Sequence, residues 1–152
     1  MQTLELLAPA KTAVIGIEAI RHGADAVYIG AESFGARSAA GNSIADIAQL
    51  CQYAHTFGAR VYVTINTLVY EHEIAALKQL LCALDAIEVD ALLLQDMGVY
   101  ALIKRWITAE KWHFQLHAST QTDNRSANKV AWLQALGFQR AVLARELSVE
   151  EI

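Results

Sequence analysis

Leu116-His117-Ala118-Ser119-Thr120-Gln121 begins as a short apolar strand and turns within one step into side chains that carry chemistry. Alternate residues of a strand point to opposite faces, so Gln115, His117 and Ser119 share one face and Phe114 and Leu116 the other. Helices covering the Phe114 face would aim the polar side chains inward, where strand-end polar groups usually belong to a site. The same grammar recurs on either side of this stretch: an apolar strand, a polar strand end, then a helix.

Upstream, Leu4 to Ala8 reads as a first strand that Pro9 punctuates. Thr12 caps a helix through His22 whose apolar face carries Val14, Ile17 and Ile20, and Gly23 stands where a left-handed residue would end it. Ala26-Val27-Tyr28-Ile29 is strand two, followed by a long loop from Gly30 to Asn42. Ser43 and Asp46 cap a second helix with Ile44, Ile47, Cys51 and Ala54 at helical spacing, and Gly58 stops it. Arg60 to Thr64 is strand three, ending in Asn66 and Thr67, and a third helix runs from Glu73 to Ile87. Ala91 to Leu94 is strand four, ending in Gln95 and Asp96, and Tyr100 to Trp106 is a short fourth helix.

His113 to His117 is strand five. Ala127, Val130, Leu133 and Leu136 stripe helix five before Gly137, and Arg140 to Ala144 is strand six, ending in Arg145 and Glu146. Ser148-Val149-Glu150-Glu151 fits a capping box that opens a sixth helix. Continuous apolar strands alternating with helices predict an α/β fold with a parallel sheet buried on both faces. A (β/α)8 TIM-type barrel is favoured over a doubly wound sheet for two reasons. Pro9-Ala10-Lys11 stands where a dinucleotide fingerprint would follow strand one, and every strand end carries polar groups rather than one switch point. About five and a half of the eight βα units are present. The expectation is therefore a single domain over residues 1–152, the N-terminal fragment of a barrel, which self-associates through its uncovered edges.

Composition narrows the function. Hydrophobic residues make up 55% and charged residues 18%, which excludes disorder. No apolar run approaches the roughly 20 residues of a membrane span, and no signal segment opens the chain, so a cytoplasmic address is expected. A net charge of −4 argues against strong nucleic-acid binding by these residues alone. Cys51 and Cys82 fall in helical patterns without paired spacing and read as reduced core thiols.

In a barrel the strand ends converge on one mouth. The catalytic candidates there are His117, which could transfer protons near neutral pH, and Asp96 and Glu146, which could orient cations or act as bases. The substrate-binding candidates are Arg37, Asn66, Gln95, Ser119, Gln121 and Arg145, with the two guanidinium forks suited to carboxylate or phosphate. The same groups could instead cap loops and bond one another. No metal site is expected: His113 and His117 share a strand face roughly 13 Å apart, too far for one ion. Ser119 and His117 are neighbours, yet nothing in the spacing supplies a hydrolytic triad's orienting carboxylate or oxyanion hole.

Glu5-Leu6-Leu7-Ala8-Pro9-Ala10, then Gly23-Ala24-Asp25-Ala26-Val27-Tyr28-Ile29-Gly30, resemble the opening of the collagenase-like peptidases, peptidase family U32. Asp90 through Asp96, Leu116 through Gln121 and Leu143 through Ser148 continue the resemblance in order. Phe34-Gly35-Ala36-Arg37 and His117 through Gln121 look most like the branch that hydroxylates a cytidine of large-subunit ribosomal RNA; sister branches hydroxylate a tRNA uridine or serve ubiquinone synthesis. Trp112-His113-Phe114 departs from the pattern, standing where relatives often have proline. The resemblance implies a barrel, prephenate-dependent RNA hydroxylation and an iron–sulfur cluster on four cysteines that follow the last motif seen here. Cys51 and Cys82 do not match those cysteines, so no cofactor is expected in this chain itself. The expected partners are a small anionic, prephenate-like substrate and, for the full-length protein, RNA. The alternatives are a protease, as the family name suggests, and a non-catalytic truncated fragment.

Overall fold

Six strands lie side by side, all parallel, in the order in which the chain makes them. The computed structural model describes residues 4–36 and 41–152. Its elements are β1 (Leu7–Ala10), α1 (Ala13–Arg21), β2 (Ala26–Gly30), α2 (Ile44–Thr56), β3 (Arg60–Ile65), α3 (Ile74–Ala86), β4 (Ala91–Leu94), α4 (Met97–Glu110), β5 (Gln115–Ala118), α5 (Ala127–Leu136) and β6 (Arg140–Ala141). A doubly wound sheet would reverse its strand order at a switch point; this one does not. The sheet also curls. Laid flat, β1 and β6 would sit about 24 Å apart, yet Glu5, just before β1, is hydrogen-bonded to Arg140 in β6. The result is a half-barrel.

Strand alternation divides the apolar residues between two layers. Val27, Ile29, Val63, Ile65, Leu92 and Leu116 belong to a large core with Leu50 of α2, Leu77 and Leu81 of α3, Ile103 of α4 and Leu133 of α5. Ala26, Tyr62, Ala91 and Leu93 form a second, smaller cluster on the opposite, concave face, with Leu7, Tyr28 and Val142 against it.

One joint repeats at four of the five places where a helix returns to a strand. The residues at 23, 58, 88 and 137 all have positive φ, and the amides of Ala24, Ala59, Val89 and Phe138 then reach back to Ala19, Ala54, Leu84 and Leu133. This is the Schellman closure, with a buried apolar residue following each left-handed one. A polar residue comes next and ties down the neighbouring strand at three of the joints. Asp25 accepts from Leu6 N (2.7 Å), Asp90 from Val61 N (2.8 Å) and Gln139 from Leu116 N (2.9 Å).

Several boundaries differ from the sequence reading. β1 runs through Pro9 instead of ending there, because an edge strand leaves one side without ladder bonds to donate to. Val14 is 68% exposed, and α1 instead buries Ala13, Gly16 and Ile20. Gly16 is what allows this: a Cβ there would lie 2.9 Å from Leu50 Cδ1 of α2. α4 is twice the expected length, starting at the Asp96 cap. β5 begins at Gln115, not His113, and β6 ends at Ala141, after which Asn124 takes over the chain's hydrogen bonds: its Nδ2 donates to Val142 O and its carbonyl accepts from Ala144 N. Ser148 does form a capping box, but over a 3-10 turn, Val149–Glu151, not a helix. Cys51 is buried and its thiol pushed up to about 12 by burial, whereas Cys82 is exposed and no core thiol.

The four joints predict opposite effects at two positions. Glu88 holds a left-handed φ of 58° that costs a side-chain-bearing residue about 1 kcal/mol, so Glu88→Gly is expected to raise stability by about that amount. Gly23→Ala should lower it by a similar amount, since its φ is 96° and an added Cβ meets nothing within 4 Å. Urea midpoints at unchanged slope are the measurement.

Candidate functional site

The carboxyl ends of the strands form one rim, and their polar side chains do three different jobs. Some build the rim. Asp96 Oδ1 caps α4 by accepting from Gly98 N (2.7 Å) and Val99 N (3.2 Å), while Oδ2 accepts from Val69 N (3.2 Å) in the β3–α3 loop. Asn66 Oδ1 accepts from Ala36 N (2.9 Å) and so holds the β2–α2 loop against β3. Buried Ser119 Oγ accepts from Gln121 N (3.3 Å), opening a 3-10 turn over Thr120–Thr122. Asn124, fully buried, donates from Nδ2 to both Ser119 O (3.0 Å) and Val142 O (2.8 Å), locking β5 to the chain after β6.

Others remain open to solvent. Gln121, Arg145 and Glu146 are exposed and Gln95 is half-buried. Glu146 lies 4.0 Å from Arg125, while Arg145 makes no hydrogen bond or ion pair among the described residues. Arg37 lies outside the described residues. The rim thus brings Asp96 close to the β3–α3 loop and Ser119 beside Gln121, while Arg145 and Glu146 stand apart on the β6 side.

His117 belongs to a third group, on the concave face. It is 2% exposed and meets Tyr62 edge-on with ring centroids 4.8 Å apart. Tyr62 OH donates to Glu5 Oε2 (2.9 Å), the Arg140 guanidinium lies 5.5 Å from the Tyr62 ring centre and bonds the other Glu5 oxygen, and Arg60 approaches Glu5 at 3.5 Å. The Arg140 hydrogen bond holds the Glu5 carboxyl below the usual range. Burial, helped by the nearby Arg140 charge, pushes His117 down to about 4, so at neutral pH it is an uncharged imidazole. That differs from the near-neutral titration expected from sequence. Sequence reasoning missed Glu5, Tyr62 and Arg140 as one group; the available signal was Tyr62 alternating with strand neighbours onto the same face as His117.

The iron–sulfur cluster implied by the resemblance does not fit these residues. Four thiolates are needed, and the chain has two cysteines, one buried and one exposed. Among the described residues no group of three or more His, Cys, Asp or Glu could hold a metal ion. No helix among them is long and apolar enough to cross a membrane.

A parallel sheet curled in sequential order, with its loops and polar ends gathered at one rim, places the chain in the barrel class. The family model for peptidase family U32 matches residues 13–152, and the chain belongs to that family. It is 47% identical over 149 residues to the 23S rRNA 5-hydroxycytidine synthase of Escherichia coli K12, covering 98% of this chain and 22% of that protein. It is 34% identical to a tRNA hydroxylation protein of Bacillus subtilis, covering 97% of this chain and 34% of the relative. The chain therefore spans about a fifth to a third of the length of these two relatives. A solved U32 peptidase superposes with a TM-score of 0.65 at 11% identity, over 94% of this chain and 60% of that one, which bears on the fold alone.

Because His117 is neutral in the fold and protonates more easily when unfolded, its contribution is intact above pH 6.5 and is lost as pH falls toward 4. At about 1.4 kcal/mol per pH unit, that interval is worth about 3 kcal/mol. Wild type is expected to lose stability across this range more steeply than His117→Gln, as read from urea melts at pH 7, 5.5 and 4.

Proposed function

We propose that this chain is the barrel portion of an RNA pyrimidine hydroxylase that acts on cytidine, uses prephenate, and works in the cytoplasm. The observation that carries this reading is the 47% identity, sustained over 149 residues, to a 23S rRNA 5-hydroxycytidine synthase. The rim supports a small anionic ligand: the Arg145 fork is exposed and has no ionic partner among the described residues. Gln121 is free to line the same side, with Asn66 fixing the loop opposite. His117, kept uncharged, serves as a neutral hydrogen-bonding group beneath that rim. The redox chemistry that hydroxylation needs is assigned to an iron–sulfur cluster outside these residues, and the RNA to a surface of the full-length protein.

Peptidase action is the weaker reading. Among the described residues no hydrogen bond joins Ser119 to His117, and the Ser119 hydroxyl already accepts from Gln121 N.

The test is expression of the full-length protein in bacteria whose ribosomal RNA lacks hydroxycytidine, followed by mass spectrometry of nucleosides. One added oxygen on cytidine is expected, and unmodified cytidine would reject the activity. Prephenate should raise the thermal midpoint of wild type but not of Arg145→Ala; equal protection of both would remove Arg145 from the site.

Self-association is part of the same proposal. Leu4, Leu6 and Val14 stand exposed beside β1, and Trp132, Val149 and Ile152 are exposed in the segments flanking β6. Light scattering should show a mass above the monomer that falls on dilution; a monomer at every concentration would reject it.

A further inference from the structure

A cavity of about 490 Å³ opens at the carboxyl ends of β2 and β3, between their loops and the helices α2 and α3. Its volume falls within the roughly 300–1,000 Å³ of small-molecule sites. Glu32, Phe34 and Thr67 line one side; Ile44, Glu73 and Leu80 line the other. The loop side is held in place. Thr67 N donates to Phe34 O (3.3 Å), Ala31 bridges Asn42, and Gly41 packs so closely on Glu32 that a Cβ there would lie 2.9 Å from Glu32 Cα.

The described lining combines one aromatic ring, the aliphatic Ile44 and Leu80, the two carboxylates Glu32 and Glu73, and the polar side chains of Ser33, Asn42 and Thr67. Such a site suits a flat, uncharged ring that carries hydrogen-bond donors on its edge. Glu73 connects the cavity to a second feature. Its Oε2 accepts from Tyr70 N (2.8 Å), and Tyr70, 67% exposed, stacks on His72 with ring centroids 5.9 Å apart and planes within 16°. An exposed, pinned pair of flat rings beside a base-sized cavity is the arrangement by which proteins hold single-stranded nucleic acid, one base stacked and the next turned inward.

We propose that the cavity takes one unstacked cytosine of a single-stranded RNA, with the Glu32 carboxylate accepting its exocyclic amine, while Tyr70 and His72 stack the neighbouring base. Cytosine presents an amine donor where uracil presents a carbonyl, so a carboxylate accepts from the first and repels the second. Glu32 is then the specificity-determining residue and Tyr70 the sequence-tolerant platform. The inference rests on the RNA reading above and adds to it the place on this chain where the base is read.

The experiment uses the full-length protein with fluorescently labelled single-stranded oligocytidine and oligouridine, read by anisotropy. Wild type is expected to bind oligocytidine about tenfold more tightly. Glu32→Gln should bring the two affinities together. Tyr70→Ala should weaken both about tenfold and leave their ratio unchanged. Glu32 and Tyr70 are both exposed, and matching thermal melts verify that each variant folds. Equal binding of the two oligomers by wild type, binding of neither, or a ratio unmoved by Glu32→Gln would overturn the proposal. The outcome separates from that of the hydroxylation assay: a cytosine preference without hydroxylation removes the activity and keeps the site, and hydroxylation without the preference does the reverse.

Discussion

The Glu5 carboxylate is the constraint on which the shape depends. Hydrogen bonding alone makes a parallel ladder but does not say how tightly it bends. Glu5 does, because it sits ahead of the first strand and accepts from Arg140 of the last and Tyr62 of the third. Two guanidinium groups and a phenol around one carboxylate satisfy its oxygens on a face where water is partly excluded, and its lowered pKa records that attraction. The contact therefore ties the lead-in to β1, the third strand and the last strand together across the concave face. It also sets the electrostatics of the concave face: the Arg140 charge helps keep His117 neutral.

How much of this was legible in the sequence depended on how local each cause was. Helix ends at Gly23, Gly58 and Gly137 were readable because glycine announces a left-handed residue; the same joint at Glu88 was hidden because a glutamate occupies it. The caps at Thr12 and Ser43 lie within three residues of their partners and were found. Parallel pairing and sequential order followed from the alternation of strands and helices. What escaped depended on distant partners. Val14 looked like a core residue until Gly16 let α2 approach from the other side. Asn124 holds together two strand ends that are far apart in the chain, and no local pattern marks it.

The candidate site shows the same division. Polar strand-end residues were legible as a class, but their individual work was not. Asp96 and Asn66 look like chemistry in the sequence and are occupied with backbone amides in the fold. By filling those bonds they fix the two loops that shape the cavity beside β2 and β3, and they leave Arg145 and Gln121 as the open polar groups on the β5–β6 side. The rim therefore has a framed half and an open half.

The strictly sequential order of the strands bears on how the protein comes into being. Each new strand pairs with the one made just before it, and each helix folds back onto a sheet edge already present. As the nascent chain leaves the ribosome, structure can accrete one unit at a time without waiting for a distant segment, and domains built this way take shape N-terminus first. The Glu5–Arg140 contact, spanning 135 residues, forms only after the last strand has emerged.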